Sequence, residues 1–335
     1  IIIKFMKILV TGCFGFIGFN FLKYIDSNYK NEIEIIGIDS LESAGSTTNS
    51  VNYKNDKFTF IKGNIVDINS FEISKIDVVV NFAAETHVDN SIFMPEKFID
   101  SNVLGVTELL KFSVKNKISK FVHISTDEVY GSVQNEYCKE SNFFNPSSPY
   151  SASKASAELI CNSFIKTYGL NILTVRPANN YGYFQQPEKL IPFSVANLLN
   201  NQNIEIYGDG KNIRHWLHVS DTSSAILKII EQVNEPDVFN VGSGVYMNNI
   251  DLSHKLLSIL NLTDERITFV EDRPGHDFRY AIDFSKLKSL GWEPQAQFDN
   301  ELGNTVNWYI NNEEWWKNSY QNIINSKRKK RKGLV

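Results

Sequence analysis

The sequence predicts an α/β protein: a doubly wound parallel sheet, followed by a smaller C-terminal α/β domain. Three observations predict it. Continuous apolar runs, the form taken by strands buried on both faces, recur through the first half. Helical patterns lie between them, and that alternation requires βαβ crossovers and parallel neighbours. After Pro177 the alternation weakens into loops, short helices and aromatic residues.

In chain order, strands are expected at Met6–Val10, Ile33–Asp39, Phe58–Lys62, Val78–Phe82, Phe121–Ser125 and Ile172–Val175. Helices are expected at Phe16–Ile25, Ile99–Val114 and Ser151–Thr167. This assigns residues 1–176 to the sheet domain, to which the chain is expected to return later. Residues 177–326 belong mainly to the second domain and 327–335 to a basic tail.

Bulk properties narrow the function classes. A chain of 335 residues can bury a large core, and 42% apolar with 21% charged residues is ordinary globular composition. Nothing approaches the run of about 18 apolar residues expected of a spanning helix. The opening IIIKFMKILV is interrupted by Lys4 and Lys7 and leads into Thr11-Gly12, so it reads as a first strand rather than a secretory signal. Met6 is the expected native start, with residues 1–5 an extension. Cys13, Cys138 and Cys161 have neither metal-ligand spacing nor a disulfide pattern. No metal is expected, and a reducing, cytoplasmic compartment is. The net charge of −4 includes six positive charges in KRKKRK (327–332), leaving −10 on the remainder. An acidic body argues against nucleic acid as partner, and the tail reads as a solvated terminus.

A sheet of this class binds ligands at the carboxyl ends of its strands, and the chemistry-bearing motifs fall there. Strand one ends in TGCFGFIG. Gly12, Gly15 and Gly18 stand three apart before a helix, so the backbone can approach a pyrophosphate and the helix amino terminus can receive it. Asp39 ends strand two about 20 residues later, where a carboxylate accepts the adenosine ribose hydroxyls and repels a 2′-phosphate. The pattern is Rossmann-like and points to NAD. Asn64, in GNIVD after strand three, is placed to meet an adenine. Ala83 and Ala84, in NFAAETH after strand four, are small enough for close backbone contact.

Further along, SSPYSASKA places Tyr150 and Lys154 four apart, on one helix face. A tyrosine titrates near 10; a close ammonium, with the positive nicotinamide, is expected to lower it until it can take a proton from an alcohol. Strand five runs into HISTDEVYG (123–131), where Thr126 is followed by two carboxylates, Asp127 and Glu128. Adjacent carboxylates in a water-poor cleft push each other's pKa apart, permitting one acid and one base.

The combination TG-x-x-G-x-x-G with Y-x-x-x-K resembles the extended short-chain dehydrogenase/reductases. The Thr126-Asp127-Glu128 triplet resembles the dTDP-glucose 4,6-dehydratases among them. So do AAETHVDNSI (83–92), PYSASKASAE (149–158), NNYGYFQQPEKLIP (179–192), YGDGKNIRHWLHVSD (207–221) and DRPGHDFRYAIDFSKL (272–287). The resemblance runs from Met6 to about Trp292. It implies tightly held NAD and a hydro-lyase converting nucleotide-diphosphate-glucose, dTDP- or UDP-linked, to a 4-keto-6-deoxy sugar. Tyr150 would remove the 4-hydroxyl proton with Lys154 holding its charge, Thr126 would bond the 4-oxygen, Glu128 would take the carbon 5 proton, and Asp127 would protonate the leaving 6-hydroxyl.

By the same resemblance, Phe14, Phe16, Ile17, Ile65, Ser101, Tyr150, Lys154 and Asn180 join the cofactor contacts. Thr86 would touch the sugar, and Asn179, Lys189, Leu190, Tyr207, Arg214, Asn249, Arg273 and His276 would hold the rest of the substrate. Relatives of this kind generally form dimers, which makes helices 99–114 and 151–167 candidates for an interface. Three positions depart from the family pattern. Asn64 replaces the usual aspartate, Ser43 a common tyrosine, and His215 an acid whose loss could reposition Arg214. The competing readings are another nucleotide-sugar dehydratase or epimerase, and a non-catalytic NAD-sensing module. A sensor would have no use for Tyr150, Lys154, Asp127 and Glu128 together.

Overall fold

The computed structural model describes residues 5–42, 46–73 and 75–331. Ser43 and the side chains of the basic run 327–332 lie outside the described residues. The strands are β1 (Met6–Thr11), β2 (Ile33–Asp39), β3 (Phe58–Lys62), β4 (Val78–Asn81), β5 (Lys120–Ile124), β6 (Ile172–Pro177), β7 (Asn179–Tyr181), β8 (Ile204–Tyr207), β9 (Ile213–His218), β10 (Asp237–Val241), β11 (Val245–Asn248) and β12 (Ile267–Val270).

Seven of them form one sheet in the order β10-β6-β5-β4-β1-β2-β3, every pair parallel. Except at the half-buried edge strand β3, these strands bury both faces and divide their apolar side chains between two cores. Ile8 and Val10 join one, with Phe21 and Leu22 of the helix Phe16–Asn28. Leu9 joins the other, with Leu109 and Leu110 of the helix Gly105–Lys115. The strand order reverses between β1 and β4, where a doubly wound sheet opens a crevice at its carboxyl edge.

One departure from the expected elements and one return of the chain matter for the site. The continuous helix expected over 99–114 is a helix at Pro95–Ile99, a π-helical stretch at Asp100–Leu104 and an α-helix at Gly105–Lys115. Such widened turns are frequent at functional sites. Here the turn aims Asn102 across the gap: its Oδ1 accepts from Glu85 N at 2.8 Å, and its Nδ2 donates to Ser153 Oγ at 2.8 Å. Second, β10 joins the large sheet beside β6, although it follows β7, β8 and β9 in the chain.

The remaining strands form a three-stranded sheet, β11-β9-β7, and a two-stranded one, β12-β8. A third core fills this part, around Tyr181, Ile191, Trp216, Leu252, Tyr309 and Trp316. Among the described residues no helix is long and apolar enough to cross a membrane, no group of His, Cys, Asp and Glu could hold a metal ion, and the three cysteines are free and buried.

Candidate active site

A cleft of about 810 Å³ runs between the carboxyl edge of the large sheet and the smaller sheets. At the β1 end the backbone builds it. Gly12 is left-handed at φ +66°, and a Cβ there would lie 2.6 Å from Ala83 N; a Cβ on Gly18 would lie 2.2 Å from Gly12 O. Neither position admits a side chain, because the turn after β1 is pressed against the loop after β4. Gly15 is the N-cap of the helix Phe16–Asn28 and offers no side-chain capping bond. Gly12, Gly15, Phe16, Ile17 and Gly18 line the cleft there, with Asp39, Asn64, Ile65, Ala83, Ala84, Ser101 and Asn180. Phe14 is the exception among the expected cofactor contacts. Its ring is buried among Phe19, Tyr53, Phe58 and Phe60, away from the cleft. Only its backbone serves the site, its N–H donating to Asp39 Oδ2 at 2.9 Å. Asp39 Oδ1 accepts from Leu41 N at 2.8 Å, so the carboxylate is fixed yet keeps free acceptor sites.

At the β5 end side chains build it. Thr126 caps the 3₁₀ turn Asp127–Tyr130, its Oγ1 accepting from Glu128 N at 3.2 Å. Asp127 is 2% exposed. Burial first, then the neighbouring Glu128 charge, push its carboxyl well above the usual range. Glu128 is also raised by burial, but Lys189, Arg273 and Arg214 draw it back. The two carboxyls therefore meet unequal surroundings, as an acid and base pair requires. Tyr280 OH donates to Asp277 Oδ2 at 2.7 Å and stands 3.4 Å from Glu128 Oε2.

Tyr150 and Lys154 share the inner face of the helix Pro149–Tyr168, whose start is fixed by a capping box between Ser148 and Ser151. The lowering expected of the tyrosine draws on the positive nicotinamide as well as the ammonium; in the chain by itself the balance runs the other way. Burial and the Glu128 charge push the Tyr150 phenol up, against hydrogen bonding with Thr126. Lys154, lowered by burial to about 8, donates from Nζ to Ile124 O at 2.6 Å.

The opposite wall carries the rest of the expected set: Thr86, Asn179, Lys189, Leu190, Tyr207, Arg214, Asn249, Arg273 and His276. Lys189 Nζ donates to Thr86 O at 2.6 Å. Arg273 Nη1 and Tyr207 OH both donate to Asp89, at 3.0 and 3.1 Å. Arg214 lies over the Tyr280 ring, 4.5 Å from its centroid, and donates from Nη2 to Asp277 O at 3.1 Å. His215 does not displace it. Alternation along β9 turns His215 to the other face, where its Nε2 accepts from Ser243 N and Gly244 N.

Buried polar atoms without partners gather on the cleft wall, Asp127 Oδ2, Asn179 Oδ1, Asn249 Oδ1 and Arg273 Nε among them. Such atoms cost free energy unless a ligand satisfies them. Together with the glycine cradle and the fixed Asp39 carboxylate, the residues fit a dinucleotide. The reading of the sequence missed Asp89, Asp277 and Tyr280. Each lies inside a quoted motif, but only the folded chain brings them to Arg273, Arg214 and Glu128.

A family model described as GDP-mannose 4,6 dehydratase matches residues 9–305. The chain belongs to that family. Within it, the chain is 40% identical over 312 residues to the low-salt glycan biosynthesis protein Agl12 of Haloferax volcanii, covering 92% of this chain and 100% of that one. It is 39% identical over 319 residues to a dTDP-glucose 4,6-dehydratase of Actinoplanes sp., covering 93% and 100%. The crystal structure of DesIV, a dTDP-glucose 4,6-dehydratase from Streptomyces venezuelae with NAD bound, superposes with a TM-score of 0.91 at 38% identity, covering 94% and 100%. A UDP-glucose 4-epimerase of Thermotoga maritima, solved with UDP-glucose, gives 0.83 at 30% identity over 91% and 99%.

Proposed function

We propose that this family member is an NAD-dependent hydro-lyase that converts a nucleotide-diphosphate-glucose to its 4-keto-6-deoxy sugar and water. The observation that carries this reading is the Asp127-Glu128 pair, Asp127 buried and Glu128 half-buried, which opens into the same cleft as Tyr150, Lys154 and the glycine turn. A 4-epimerase needs an oxidised carbon 4 but no elimination, so it has no use for two carboxyls of unequal pKa. The relatives named dTDP-glucose 4,6-dehydratase make dTDP-glucose the first substrate to test and UDP-glucose the second.

Gly12, Gly15 and Gly18 would hold the pyrophosphate, Asp39 the ribose, and Asn64, Ile65, Ala83, Ala84, Ser101 and Asn180 the remainder of the dinucleotide. When bound, NAD would supply the hydride acceptor for carbon 4 and the hydride for carbon 6, so that turnover would be redox-neutral. Tyr150 takes the 4-hydroxyl proton at its phenolic oxygen while Thr126 Oγ1 steadies the 4-oxygen. With carbon 4 a ketone, the carbon 5 proton becomes acidic and Glu128 removes it. Asp127, whose proton burial favours, gives it to the departing 6-hydroxyl, which leaves as water. Glu128 then returns its proton to carbon 5, and the proton taken by Tyr150 replaces the one Asp127 lost, through solvent. Each proton transfer contributes about 100- to 10,000-fold in rate. Arg214 and Arg273 present planar forks suited to diphosphate oxygens. Tyr207, Asn249, Asn179, Lys189, Leu190 and His276 complete the nucleotide end, and Thr86 the sugar end.

We further infer that 1–176 mainly holds NAD and 177–326 mainly the nucleotide sugar, that the chain is cytoplasmic, and that it pairs as a homodimer. Ile99, Leu104 and Leu159 expose large apolar side chains on the helices proposed to meet. The test is parallel incubation with dTDP-glucose and UDP-glucose, read by the alkali-sensitive absorbance of a 4-keto sugar. Product from either supports the reading. Binding of NAD with both sugars unchanged would make the chain a sensor and overturn it.

A further inference from the structure

The acid-bearing turn has few bonds of its own. Within it, Glu128 N donates to Thr126 Oγ1 and Gly131 N to Glu128 O at 3.1 Å. Yet it must keep two carboxyls, both raised by burial, at separate positions against a substrate, and proton-transfer geometry tolerates only about 0.5 Å of slack. Something outside the turn has to hold it.

Behind the turn lies a fully buried ion pair, Glu158 with Arg176, at 2.6 Å between Oε2 and Nη2 and with 4% of each side chain exposed. The Nε of Arg176 also donates to both Glu158 oxygens at 3.0 Å. A pair buried to this depth is weak evidence of stabilisation, since apolar residues of similar volume serve as well or better. Its contacts give a more specific reason for it. Ser125 Oγ, immediately before the acid triplet, donates to Glu158 Oε1 at 2.5 Å. Arg176 Nη1 donates to Tyr130 OH, two residues past the triplet, at 2.5 Å, and stacks 4.9 Å from the Tyr130 ring centroid. Tyr130 OH in turn donates to Asn240 Oδ1 at 2.8 Å, anchoring the assembly to β10. Glu158 also lies one helical turn beyond Lys154, so Tyr150, Lys154 and Glu158 form one row on the helix.

We propose that the Glu158–Arg176 pair is a positioning device for the acid turn, gripping it through a hydroxyl on each side, Ser125 before Thr126-Asp127-Glu128 and Tyr130 after. The same pair ties the turn to the Tyr150–Lys154 helix and to β6, so the proton acceptor of the oxidation and the acids of the elimination keep a fixed spacing. Neither residue reaches the substrate. Both act through the groups they hold. The inference rests on the dehydratase reading for its catalytic consequence, though not for its mechanical one.

Ser125→Ala and Tyr130→Phe each remove one grip and leave the ion pair intact. In each variant of the full chain, amide hydrogen exchange over 126–131 should rise about tenfold, as expected for loss of one buried hydrogen bond, with the helix 149–168 unchanged. On the nucleotide-glucose that the wild type converts, kcat should fall by about the same factor while KM stays within about twofold. Wild-type exchange over 126–131 in both variants would overturn the proposal, and so would exchange rising uniformly along the chain. An unchanged kcat in a wild-type-competent assay would also refute it. If the wild type converts no nucleotide sugar, the dehydratase reading fails, and the exchange measurement still decides the positioning claim.

Discussion

The two ends of the cleft are built from different materials. Around β1 the backbone makes the site: glycines that cannot carry a Cβ, a helix terminus with no side-chain cap, and Asp39 held by two backbone N–H groups. Around β5 buried side chains make it: two raised carboxyls, a buried tyrosine, a lysine lowered to about 8, and arginines on the facing wall. A backbone site is preformed by local sterics, and its charge comes from fixed N–H dipoles at the helix start. A side-chain site of this kind carries strong electrostatic potential, costs stability, and depends on groups distant in sequence. The first suits a part that only holds its ligand; the second suits a part that must move protons.

The largest expected effect separates the two ends by function. Tyr150→Phe removes the proton acceptor and should lower turnover by about 100- to 10,000-fold. The purified variant should retain NAD at wild-type stoichiometry, measured by release on denaturation. Gly18→Ala should do the reverse. Its Cβ would sit 2.2 Å from Gly12 O, so the turn must open, and the NAD content of the purified protein should collapse, with about 1–3 kcal/mol of stability lost. Asp39→Ala is milder. It leaves the N–H groups of Phe14 and Leu41 without their acceptor and should weaken NAD by about 10- to 100-fold in calorimetry.

The smallest effect tests the electrostatic cost of the acid end. Because burial raises Asp127, the folded chain holds that proton more tightly than the unfolded chain does. The associated stability is fully present below the unfolded value of about 3.9 and is lost as pH rises through the folded one. Asp127→Asn escapes that loss. Its melting temperature should exceed the wild type's at pH 8 by a few degrees and converge with it near pH 4. A constant difference across that range would contradict the assignment.

The same contrast explains what the sequence made legible. Ile33–Asp39 was readable to the residue, because a strand buried on both faces leaves a continuous apolar run, and the half-buried edge strand Phe58–Lys62 was readable from Phe58, Phe60 and Ile61. Gly12, Gly15 and Gly18 were readable for a related reason: spacing alone encodes a backbone turn. Tyr150 and Lys154 were readable as one helix face, yet their electrostatics were not, since burial of the phenol depends on Phe98 and the surrounding loops. Glu158 and Arg176 carried no signal in the sequence, 18 residues apart on a helix and just past an expected strand. Only packing of β5, β6 and the helix against one another makes them a pair around Ser125 and Tyr130. The π-helical stretch at Asp100–Leu104 carried no sequence signal, because its cause is the cross-gap bonds of Asn102.

The central claim is that oxidation at carbon 4 precedes elimination by the Asp127-Glu128 pair within one cleft. Its most direct test is Glu128→Gln mixed with the nucleotide-glucose that the wild type converts, followed by nicotinamide absorbance and by mass analysis of the sugar. The account predicts reduced nicotinamide that persists on the protein and a hexose that has not lost water. Normal turnover by that variant, or loss of water with no reduced nicotinamide at any time, would contradict it.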